Sequence, residues 1–124
     1  MTIKDLLEKN YFHDSFIKEI KIVGNEIWLS IIFSNWMQDY YEEGKMLEQE
    51  LVCLKFYHAK LVKEKDFEFQ NDTIIQAEII YEKNIISGVE FLIASEQLGY
   101  ETTFEILAES VEWTNQGEPD WSEI

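Results

Sequence analysis

From residue 15 onward, apolar residues recur at every second position, a period that predicts extended strands with one face turned inward. Ahead of that pattern, Ile3, Leu6 and Leu7 share one face of a 3.6-residue period. Thr2 is a capping residue and Asp5 stands three positions on, so a short helix is expected over Thr2 to Lys9. A helix this short is unstable alone in water and must dock on the rest of the fold.

The first strand runs from Ser15 to Val23, with Phe16, Ile20 and Ile22 alternating with Glu19 and Lys21. Gly24-Asn25 is a two-residue hairpin signal, because both residues tolerate positive φ. The return strand covers Glu26 to Ser34. Its Ile27, Leu29, Ile31 and Phe33 lie on one face, and Trp28, Ser30 and Ile32 lie on the other. Residues 35–45 break the alternation and read as a long exposed loop with room for a helical turn. Alternation resumes over Glu48 to His58, setting Val52, Leu54 and Phe56 against Cys53, Lys55 and Tyr57. A short strand is expected within Lys60 to Phe69, then one over Thr73 to Glu82 with Ile75, Ala77, Ile79 and Tyr81 on one face. Residues 71–83 also fit a helical period through Ile74, Ile75, Glu78 and Ile79, but β-branching and brevity favour the strand. Gly88 to Ser95 carries Val89, Phe91 and Ile93. The longest run, Glu101 to Trp113, has Phe104, Ile106 and Ala108 on one face, with Leu107, Val111 and Trp113 sharing the other with Glu105 and Glu109.

Six or seven such strands with turns between them predict a mainly β protein. The expected form is an antiparallel meander curled into a sandwich or incomplete barrel with a short N-terminal helix, an α+β arrangement being the alternative. At 124 residues there is room for one domain, with a short acidic tail from about residue 115. No Pro/Gly/Ser-rich linker or internal repeat divides it.

Charge sharpens this picture. The chain carries 25 acidic residues against 10 cations, a formal net charge of −15, and every cation is lysine. Phosphate and base recognition rest on clustered positive charge and on arginine in particular, so direct nucleic-acid binding is not expected. An anionic membrane surface would repel the chain, and no apolar run approaches bilayer-spanning length. Residues 1–83 hold sixteen acids and all ten lysines, a balance of −6. Residues 84–124 hold nine acids and no lysine, a balance of −9, which predicts an uncompensated acidic surface in the last third. One cysteine, Cys53, forms no intramolecular disulfide, and the N-terminus lacks a basic then apolar leader pattern, so a reduced, cytoplasmic setting is expected.

Candidate chemistry is sparse. His13, Asp14 and His58 would make a three-ligand metal site if the third strand lay beside the first. On that basis a small-ligand or metal-dependent enzyme is the alternative function. The simpler expectation is that Asp14 and Ser15 shape the turn into the first strand, with His13 partly buried beside them. Ser15 is no triad serine by adjacency, since neighbouring side chains on extended backbone point to different faces. There is no serine elbow, phosphate loop or dinucleotide fingerprint, and no cofactor is expected. With Glu48 and Glu50 upstream, Cys53 is expected to have a raised thiol pKa and to serve the core. Aromatics among acids are more suggestive. Trp36, Tyr40 and Tyr41 stand beside Asp39, Glu42 and Glu43, while Trp113 and Trp121 stand among Glu109, Glu112, Glu118, Asp120 and Glu123. Rings as anchors and carboxylates as steering charges suit a basic protein partner. A homo-oligomer pairing through a strand edge is a further class, opposed by the high like charge.

The segment Tyr11-Phe12-His13-Asp14-Ser15-Phe16-Ile17, followed by Ile20 and the alternating Ile27-Trp28-Leu29-Ser30-Ile31, resembles the opening of a group of small bacterial proteins. In these an aromatic-His-Asp-Ser-x-Ile element precedes the first hairpin. Leu54-Lys55-Phe56-Tyr57 is similar to a later strand of the same group. Several of these proteins are uncharacterised or are taken as immunity proteins of polymorphic toxin systems. The resemblance implies an antiparallel β-rich fold and, by association, toxin neutralisation, and it implies no catalytic residue. Joined to the acidic surface, it makes a non-enzymatic immunity-type protein that covers a basic toxin domain, for example a nuclease, the expected function.

Overall fold

A computed structural model describes residues 1–114. The expected tail, with Trp121, Glu118, Asp120 and Glu123, lies outside the described residues. Helix α1 (Ile3–Lys9) is followed by β1 (Phe16–Val23), β2 (Glu26–Ser34), a 3₁₀ turn (Asn35–Met37), β3 (Gln49–Tyr57) and β4 (Lys60–Lys63). Then come β5 (Asp72–Glu82), β6 (Ile85–Ser95), β7 (Tyr100–Leu107) and β8 (Ser110–Thr114). All strands belong to one antiparallel sheet in the order β4-β7-β6-β5-β1-β2-β3-β8, and its ladder does not close. The mainly β architecture expected from the alternation is what forms, with eight strands because the longest run divides in two.

Local chemistry explains the secure elements. Thr2 caps α1 by accepting the Asp5 N–H at 3.0 Å. Gly24 takes φ +62° in the turn between β1 and β2. Residues 72–82 form a strand rather than the alternative helix, since pairing with β6 satisfies the backbone along their whole length.

Two register slips and one break correct the expected faces. Ile75 is the extra residue between the pairs Ile74↔Ile93 and Gln76↔Leu92, so Ile74 takes the buried place and Ile75 does not. A second slip, between Ile80 and Tyr81, leaves Ser87 unpaired in β6. The third correction concerns Ala108-Glu109, which separates β7 from β8 and shifts the inward phase. Phe104, Ile106 and Ala108 are buried before it, and Val111 is buried after it with Trp113 packed on the core. Val111 and Trp113 therefore do not share an outer face with Glu105 and Glu109.

Two sharp crossings curl the sheet. Only His58-Ala59 separates β3 from β4, and only Ala108-Glu109 separates β7 from β8, yet each step carries the chain from one end of the ladder to the other. The first crossing is held by the Ala59 N–H donating to the Asn25 carbonyl at 2.7 Å, and the second by Ala108 N–H donating to Ser87 at 3.0 Å. The enclosed core includes Leu29, Phe33, Leu54, Phe56, Phe91 and Phe104, and Phe91 stacks on Phe104 with centroids 5.1 Å apart. α1 packs Ile3 and Leu6 onto this core, and Phe12 meets Phe33 edge-on at 5.4 Å. Close approach makes Gly88 obligatory, because a Cβ there would sit 2.3 Å from the Ile106 carbonyl oxygen of β7. At the free edges, Lys60 and Lys63 bracket β4, while the Val111 N–H of β8 donates to the Met1 carbonyl at 3.1 Å.

Candidate functional site

The His13-Asp14-Ser15 element is a structural corner. Asp14 adopts φ +64°, turning the chain so that its N–H donates to the Ile74 carbonyl at 2.9 Å and the Ile74 N–H donates to Ser15 at 2.7 Å. The fully buried Ser15 Oγ accepts the Ser34 N–H at 3.0 Å, and the Ser34 hydroxyl donates to the Asp14 carbonyl at 2.8 Å. His13 Nδ1 donates to the carbonyl of the bulged Ile75 at 2.8 Å, and Nε2 lies 3.4 Å from Asp14 Oδ1. The turn role expected for Asp14 and Ser15 is thus what the backbone uses.

The metal arrangement is not formed. β2 lies between β1 and β3, and His58 stands beyond the far end of β1, its Nδ1 accepting from Asn25 at 3.4 Å. Eight residues of β1 at about 3.3 Å each separate it from His13 by more than ~20 Å. Among the described residues no group of three His, Cys, Asp or Glu side chains is placed to hold a metal ion.

Cys53 faces Ser30 across β2 and β3 and is buried. Its thiol is pushed up to about 11, chiefly by burial, with Lys55 opposing and Glu112 adding. The direction is the expected one, but the cause differs: Glu48 and Glu50 do not supply it.

The aromatic and acidic residues divide among several places. Glu109 reaches His58 at 3.9 Å near the first crossing, and Glu112 accepts the Tyr57 hydroxyl at 2.8 Å, which pushes that phenol up to about 12. In the 35–48 loop, Glu42 pairs with Lys45 at 3.3 Å, Glu43 is exposed, and Trp36 is exposed, its backbone N–H donating to the Glu48 backbone carbonyl at 3.2 Å. The Tyr41 phenol is raised by burial, then by Glu48 and Glu43. Among the described acids of the lysine-free last third, Glu90 and Glu105 stand in a row with Glu78 across β5, β6 and β7, while Glu112 lies on β8 at the other end of the ladder.

Tyr40 and Trp113, distant in sequence, do come together. Both line a cleft of about 420 Å³ with Met1, Lys9, Asn10 and Glu50. The loop is fixed there by buried Gln38, whose Oε1 accepts the Tyr11 N–H at 2.7 Å and whose Nε2 donates to the Tyr11 and Ser34 carbonyls. Asn10 ends α1 by donating to the Leu6 carbonyl at 3.0 Å, and its Oδ1 accepts the Tyr40 hydroxyl at 3.0 Å. Trp113 is braced perpendicular to the buried Phe33 ring at 5.0 Å.

Glu50 is the unusual member. It pairs with Phe33 in register and is in phase with the buried Val52, Leu54 and Phe56, so it occupies an inward position that the pattern reserves for apolar residues. Among the described residues no cation lies within ion-pair distance of it and no donor bonds it. The Tyr40 phenol is raised by burial and secondarily by Glu50. A neighbouring cleft of about 310 Å³ shares Lys9 and Asn10 and adds Glu8 and Asp39. The two clefts together set the carboxylates of Glu8, Asp39 and Glu50 beside Lys9 and the amino-terminal Met1.

Sequence patterning singled out Tyr40, Asp39 and Trp113 but missed Glu50, whose signal was its phase with Val52, Leu54 and Phe56. Lys9 and Asn10 carried no signal, since their place depends on where α1 docks. No helix among the described residues is long and apolar enough to cross a membrane. Comparison of the chain with protein-family models, curated proteins and solved structures finds no match.

Proposed function

We propose that this chain is a non-enzymatic, cytoplasmic binding protein of the immunity type, whose acidic and aromatic end covers a basic protein such as a nuclease toxin domain. The observation that carries this reading is the cleft in which Tyr40 and Trp113 flank an unpaired Glu50. The exposed Tyr40 and half-buried Trp113 supply contact area that a partner would cover, and surrounding carboxylates select a basic surface. The net charge of −15 adds long-range steering toward such a surface and away from nucleic acid. A nuclease holds phosphate on basic residues, so an acidic protein competes for the same face.

The test is capture from a host lysate with the full chain as bait, followed by association kinetics with the purified partner. The expected partner is a basic protein whose association slows as ionic strength rises from about 0.01 to 0.15 M, shortening the Debye length from ~30 to ~8 Å. Tyr40→Ala with Trp36→Ala is expected to speed dissociation. A partner with an acidic surface, or an on-rate indifferent to salt, would overturn the reading.

A further inference from the structure

Building on that reading, we propose that the cleft between Tyr40 and Trp113 receives one arginine side chain of the partner, its guanidinium paired with Glu50. Glu50 is half-buried, set opposite Phe33 in register and lining the cleft with Trp113 and Tyr40, where a partner's cation would find a carboxylate not already paired. None of the described residues pairs with it. Lys9 lines the same cleft yet stands beyond ion-pair distance from Glu50.

The walls narrow the class of cation. Trp113 and Tyr40 present aromatic rings, over which a planar guanidinium stacks while its two-pronged edge bonds a carboxylate. An ammonium matches the charge but not the two-pronged geometry. An anionic occupant is disfavoured by the surplus of carboxylates, and one Nδ2 hydrogen of Asn10 is already spent on the Leu6 carbonyl while Oδ1 accepts from Tyr40. Lys9 and the amino-terminal Met1 are the cationic residues there, against Glu50, Asp39 and Glu8 across the paired clefts. The row Glu78, Glu90 and Glu105 is also acidic, but it lies on the opposite face of its strands from Phe91 and Phe104.

The full chain, labelled with ¹⁵N, would be titrated with Nα-acetyl-arginine amide, Nα-acetyl-lysine amide and Nα-acetyl-glutamate amide while the Trp113 indole N–H is followed. A single side chain is expected to bind with a roughly millimolar Kd. Saturable shifts at Trp113 and Tyr40 with the arginine probe, weaker ones with lysine and none with glutamate support the inference. Glu50→Gln, which preserves shape, is expected to weaken the arginine probe about tenfold or more. Tyr40→Leu gives a second variant on an exposed loop. Equal binding of the glutamate probe, unchanged affinity in Glu50→Gln, or shifts confined to Glu78, Glu90 and Glu105 overturn it. A salt-sensitive basic partner indifferent to Glu50→Gln removes the arginine pocket and leaves the binding role standing. An arginine probe that saturates the cleft, with captured partners that are not basic, does the reverse.

Discussion

The His13-Asp14-Ser15 corner and the Tyr40-Glu50-Trp113 cleft put polar groups against the same core and treat them in opposite ways. In the corner, Ser15, Ser34, Asp14 and His13 are linked to one another or to β5 by hydrogen bonds. Asp72, fully buried nearby, is likewise satisfied, accepting from Gln70 and Glu96. In the cleft, Glu50 faces inward with no bonded partner among the described residues. A conspicuous motif can thus be spent entirely on architecture, while an unremarkable glutamate is left without a bonded partner among the described residues.

The largest expected effect lies in the corner. Ser15→Ala removes the acceptor of a buried N–H on Ser34 and is expected to lower stability by about 1–3 kcal/mol in urea denaturation, leaving arginine-probe binding unchanged. A loss at the cleft as large as the loss in stability would erase the contrast between the two regions. In the cleft the sign reverses. Glu50→Leu restores the apolar phase of β3 and is expected to raise stability by about 1 kcal/mol while abolishing the arginine response. Destabilisation by this change would mean that Glu50 serves the fold after all.

Cys53 sharpens the comparison with the smallest effect. Folding holds its thiol protonated to about 11 against an ordinary value of 9.0, so between those pH values the unfolded chain gives up a proton that the folded chain keeps. Stability should therefore fall as pH rises through that window, and Cys53→Ala should flatten part of the slope. The thiol should also resist a disulfide reagent at pH 8 until the chain unfolds. Rapid labelling of the folded protein at pH 8 would show that burial does not govern this group.

Patterning made the strands legible because alternation depends only on each strand's own residues. Glu26–Ser34 and the Gly24-Asn25 turn could be read directly for that reason. The bulge at Ile75 and the break at Ala108-Glu109 were not legible, since each shifts phase by reference to a partner strand. The other long hairpin turns through Lys83 and Asn84, both at positive φ without a glycine to announce it. At the cleft, the aromatic walls could be named from sequence but their meeting could not. Tyr40 and Trp113 line one cleft because Gln38 pins the loop to Tyr11 and because β8 crosses the ladder.

That second crossing has a consequence in time. The β1–β2 and β5–β6 hairpins join near neighbours, whereas β8 must find β3 across the span from Cys53 to Thr114. Contacts so distant along the chain are slow to close, and local hairpins form well before them. Trp113 takes its place only when β8 does, so the cleft it shares with Tyr40 is completed late in folding. Chains emerging during synthesis carry most of the negative charge before the cleft between Tyr40 and Trp113 exists.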